Sequence, residues 1–104
     1  MKTAEQIYID FKAMEEQVER LRSIAQQEDQ ISSEGMRQVL GTISQNWQGE
    51  NADGFMNKAE ITRDKISLQA AEIRRIADTV ERIAINYRDA ELKAIQIAEE
   101  DSNG

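Results

Sequence analysis

Thirteen positions in the second half of the chain keep one unbroken rhythm: Phe55, Ala59, Thr62, Ile66, Gln69, Ile73, Ile76, Val80, Ile83, Tyr87, Ala90, Ala94 and Ile97 alternate spacings of four and three. A mean period of 3.5 is that of an α-helix holding one face against a partner, and no strand repeats that way. Proline would delete a backbone donor and clash with the preceding turn, and the chain has none. The spacing therefore predicts one helix over about 51–99, roughly 75 Å long at 1.5 Å per residue.

The first half carries the same rhythm with one fault. Ile7, Phe11, Met14, Val18, Leu21 and Ala25 follow 4-3-4-3-4, and Met36, Leu40, Ile43 and Trp47 resume it after the polar run Gln26-Gln27-Glu28-Asp29-Gln30. Joining the two stretches needs a four-residue stutter, which locally unwinds a supercoil. A break capped by Ser32 or Ser33 is the other solution. With no proline or turn dipeptide to force a stop, one continuous, bent helix over about 3–45 is expected, roughly 65 Å long.

Turn-forming residues concentrate between the halves, in Asn46-Trp47-Gln48-Gly49-Glu50-Asn51-Ala52-Asp53-Gly54. Gly49 suits the left-handed residue just past a helix end, and Asn51 or Asp53 suits the start of the next helix. The expected fold is all-α: an antiparallel helical hairpin forming a single domain over 1–104, with its turn at about 46–50 and a short flexible tail.

Chemistry is narrowed by what is missing. With no cysteine and no histidine, thiol nucleophiles, imidazole acid–base catalysis and zinc sites are excluded from this chain. Adjacent acids such as Glu15-Glu16 or Glu99-Glu100-Asp101 point apart on a helix and read as solvated faces. No cofactor and no catalysis are expected. A net charge of −7, from 20 acids against 13 bases, disfavours nucleic acid or an anionic membrane as ligand. No apolar run approaches the roughly twenty residues of a membrane span, and no cleavable signal peptide is visible.

A hairpin has no third layer, so it leaves apolar surface uncovered. Ile85, Leu92 and Ile95 line up on a face away from the main seam, with Ile61 and Leu68 between. That stripe is the expected dimer interface, covered by a second hairpin in a four-helix bundle.

Two short motifs sit on this framework. Trp47-x-Gly49 occupies the turn, and Tyr87-Arg88-Asp89-Ala90-Glu91 places a tyrosine and an acid four residues apart late in the second helix. With the proline-free length of about a hundred residues, these make the chain resemble the WXG-100 family of small type VII secretion substrates. The resemblance implies a bacterial protein made in the cytoplasm and secreted folded, as effector or co-secreted component. It further implies pairing with itself or a related helical hairpin, and an export signal at Tyr87 and Glu91. Trp47 and Gly49 would then join the opposite subunit's signal in one surface for the secretion ATPase. The rival reading is a cytosolic adaptor that pairs with the N-terminal helices of a larger LXG-type toxin.

Overall fold

The computed structural model describes residues 2–47 and 49–103. Helix α1 (Ala4–Gln30) leads through a π-helical turn (Ile31–Gly35) into α2 (Met36–Asn46), and α3 (Glu50–Asn103) follows. No strand occurs among the described residues, and the fold is an all-α helical hairpin, as the spacing predicts. Gln48 of the expected turn and Gly104 of the expected tail lie outside the described residues. Asp101, placed by sequence in that tail, is still helical.

A reciprocal capping box opens α1. The Gln6 amide donates to Thr3 Oγ1 at 3.2 Å, and the Thr3 amide donates to Gln6 Oε1 at 3.0 Å. Two amides without helical partners are thereby satisfied, which fixes where the helix begins. The Thr3-x-x-Gln6 pattern was available in the sequence.

The polar fault resolves without a break. Gln30 and Met36, on either side of the π turn, keep helical backbone angles, and the Met36 amide donates to the Ile31 carbonyl five residues back. A π turn accommodates one more residue than an α turn. It thereby absorbs the stutter, and the seam passes from Ala25 to Ser32, Met36, Leu40 and Ile43. Ser32 and Ser33 both donate their hydroxyls to the Asp29 carbonyl, at 3.0 and 2.8 Å, where the backbone ladder changes step.

The chain divides into two compact units, one of Met1–Leu21 with Arg75–Gly104 and one of Arg22–Arg74. In the second, Asp29 ion-pairs with Arg74 and the Ser32 and Ser67 hydroxyls bond at 3.1 Å. Moving forward along one arm thus moves backward along the other, the signature of antiparallel packing. Ser32 is the one buried polar side chain among the described residues, and Ser67 satisfies it. Ala25, Leu40, Ala52 and Ala70 complete this unit's core, while Ile7, Val18, Ala77 and Ala84 form the core of the other.

The face that α3 buries differs from the expected one. Ala59, Ile66, Ile73, Val80, Tyr87 and Ala94 are all half-buried or deeper, but their expected companions Phe55, Thr62, Gln69, Ile76, Ile83, Ala90 and Ile97 are exposed. Ala52, Met56, Arg63, Ala70, Ala77, Ala84, Glu91 and Ala98 take their places, one residue to the side. The cause is closeness of approach. An alanine lets a neighbouring helix come nearer than an isoleucine does, toward the short end of the roughly 8–10 Å interaxial range. Dense packing of many backbone and Cβ atoms then outweighs burial of one larger side chain. Ala70, Ala77 and Ala84, seven apart and fully buried, occupy the contact line, and the isoleucines are turned to its flank.

Candidate functional site

At the hairpin end, α2 stops because Trp47 leaves the helix. Its backbone is extended (φ −138°, ψ 119°), while its amide still donates to the Ile43 carbonyl at 2.8 Å. Gly49 has φ +114°, a region that favours glycine. A Cβ there would meet nothing within 4 Å, so the constraint is conformational and not steric crowding. The glycine's position corrects the expected one: its carbonyl accepts from the Asp53 amide at 3.0 Å, so it opens α3 and does not close α2. Glu50 and Asp53 lie in the first turn of α3, where the helix dipole favours acids.

The Trp47 ring stands 5.9 Å from the Phe55 ring, tilted by 48°. Such a pair adds about 0.5–1.5 kcal/mol beyond area burial and holds the tip together. Even so, Trp47 remains 45% exposed and Phe55 44%. The aromatic pair is both a staple and an open surface.

Tyr87 and Glu91 lie on the buried line of α3 one helical turn apart, each half-buried. Lys2, just ahead of α1, reaches the tyrosine: its ammonium donates to Tyr87 Oη at 2.7 Å and to Asp10 Oδ2 at 2.6 Å. The same ammonium lies 5.2 Å from the Tyr87 ring centroid, at the hydroxyl edge of the ring and not over its face. The Asp10 carboxylate first, and the Tyr87 hydroxyl after it, push the Lys2 ammonium above the ordinary lysine range. Next to Tyr87, the Arg88 guanidinium packs over the Phe11 ring at 4.4 Å and donates from Nε to Asp89 Oδ1. No local pattern announces the Lys2 contact, because the two residues are 85 positions apart.

Ile85, Leu92 and Ile95 are half-buried within their own unit. At 100° per residue, Ile85 and Leu92 flank the alanine line on one side and Ile76, Ile83 and Ile97 on the other. The second flank is the wetter: Ile83 is 58% exposed, Ile97 49% and Ile76 46%. Ile61 and Leu68, in the other unit, are exposed as well, Leu68 at 71%.

Among the described residues no helix is long and apolar enough to cross a membrane, and no group of three or more acids is arranged to hold a metal ion. No curated protein and no solved structure gives a significant match. A family model described as proteins of 100 residues with WXG matches residues 6–92, a span containing Trp47, Gly49, Tyr87 and Glu91. With most of its length and both motifs inside that match, the chain belongs to the WXG100 family.

Proposed function

We propose that this protein is a small helical component of a bacterial type VII secretion system, exported from the cytoplasm and acting by protein–protein contact without catalysis. The observation that carries this reading is the family match across both motifs. Tyr87 and Glu91 are the export signal, one turn apart on α3, and the secretion ATPase is the partner that reads them. Trp47 and Gly49 contribute the turn surface.

The partner in the folded state is a second copy or a related hairpin. Exposed Ile76, Ile83 and Ile97 support that pairing, since a row of large apolar side chains along a helix is a surface another helix covers. Ile85 and Leu92, already half covered, bound the opposite edge of α3, and Ile95, also half covered, lies on the alanine line itself. An export assay tests the signal. Tyr87→Ala and Glu91→Ala each reduce the secreted fraction while the cytoplasmic pool stays folded by circular dichroism. Unchanged secretion of both variants removes the assignment.

A further inference from the structure

We propose that Lys2 is an autoinhibitory latch that covers Tyr87 until a recognition partner displaces it. The inference rests on the reading of Tyr87 as half of the export signal. Three observations converge on it. The ammonium occupies the Tyr87 hydroxyl at 2.7 Å and lies 5.2 Å from the ring centroid, beyond the ring edge, so it takes the polar handle and leaves the ring faces alone. Asp10, from the second turn of α1, anchors the same ammonium at 2.6 Å and keeps it at the tyrosine hydroxyl. The Thr3–Gln6 capping box fixes the backbone directly after Lys2, so the lysine stem swings from a set root.

The latch is also built to open. The Lys2 and Asp10 side chains are 48% and 39% exposed, and ion pairs that wet contribute little stability. A partner needing the Tyr87 hydroxyl has only to exchange these contacts for its own. The ammonium has three donors, so an acidic partner group can take one as Asp10 lets go.

Acetylation by N-acetylimidazole, which modifies tyrosine hydroxyls, tests the latch without any partner. The chain's two tyrosines provide their own comparison, because Tyr8 is exposed and the Lys2 ammonium bonds to Asp10 and Tyr87. Lys2→Met keeps the stem length and removes the charge. It should accelerate acetylation of Tyr87 by about threefold to tenfold, the size expected from losing one charge-assisted contact, with the Tyr8 rate unchanged. Asp10→Asn should give a smaller acceleration at Tyr87. Unchanged Tyr87 rates in both variants, or equal acceleration at Tyr8, overturn the latch.

Secretion supplies the second arm. Lys2→Met should be exported more efficiently than the unaltered protein. If Tyr87→Ala abolishes export while Lys2→Met leaves it unaltered, Tyr87 is the signal and the regulatory role of Lys2 is wrong. If Tyr87→Ala exports normally, the signal reading itself fails, whatever the acetylation rates show.

Discussion

Gly49 shows how one residue can hold a turn without touching anything. Its φ of +114° is inaccessible to most side chains at low energy, and the space around its missing Cβ is open. Gly49→Ala therefore introduces strain that no repacking relieves. We expect a loss of about 1–3 kcal/mol, read from the urea midpoint at unchanged slope. A loss within error of zero would mean that the turn relaxes into another conformation. The positive φ was legible in the sequence, because glycine in a run of polar turn-formers has few other uses. Which helix it serves was not: the Asp53 amide that selects its carbonyl belongs to a helix start lying earlier than the expected boundary. The sequence offers Ser32 as a cap for a broken helix, whereas it is buried and bonded to Ser67 on the opposite arm, a contact with no local signature.

At the scale of elements, the π turn is the device that lets a faulty repeat stay helical. Its seam spacing of four residues from Ser32 to Met36 and four more to Leu40 exceeds what a heptad carries. Deleting Ser33 shortens that interval and restores alternating three and four, so the turn can close as plain α-helix. Such a deletion should keep the helical signal and most of the stability. A one-residue deletion in the regular stretch near Glu16 would instead rotate every later seam residue off its face. Thermal melts of the two deletions compare them directly, and equal damage from both would refute the account. The period of α3 was legible for the same reason that its facing was not. Hydropathy separates apolar from polar residues but ranks isoleucine above alanine, so Ile76 and Ile83 drew the seam one residue aside from Ala77 and Ala84. Burial of Ala70, Ala77 and Ala84 reflects how closely two helices can approach, a property of the pair that hydropathy along one strand of sequence does not carry.

For the whole molecule, the limiting fact is how little large apolar surface the cores enclose. Ile7 and Val18 are the largest fully buried side chains, and alanines supply much of the rest. Meanwhile Ile76, Ile83 and Ile97 stay wet along one flank. Association is the expected remedy, and light scattering at micromolar concentration should give twice the monomer mass. Ile83→Asp should return it to the monomer mass while far-ultraviolet helicity persists, because burying an unpaired carboxylate at an interface is costly and leaving it in water is not. A chain already monomeric before substitution would favour the adaptor reading, in which a larger protein's helices cover the flank.

The alanine line along α3 also has a mechanical meaning. Alanines hold neighbouring helices close while committing little area per turn, so resistance to separation is spread thinly and evenly. Within the unit that joins residues 2–21 to 75–103, Ala77 and Ala84 set such contacts two turns apart. Contacts of that kind are lost one turn at a time, each at small cost.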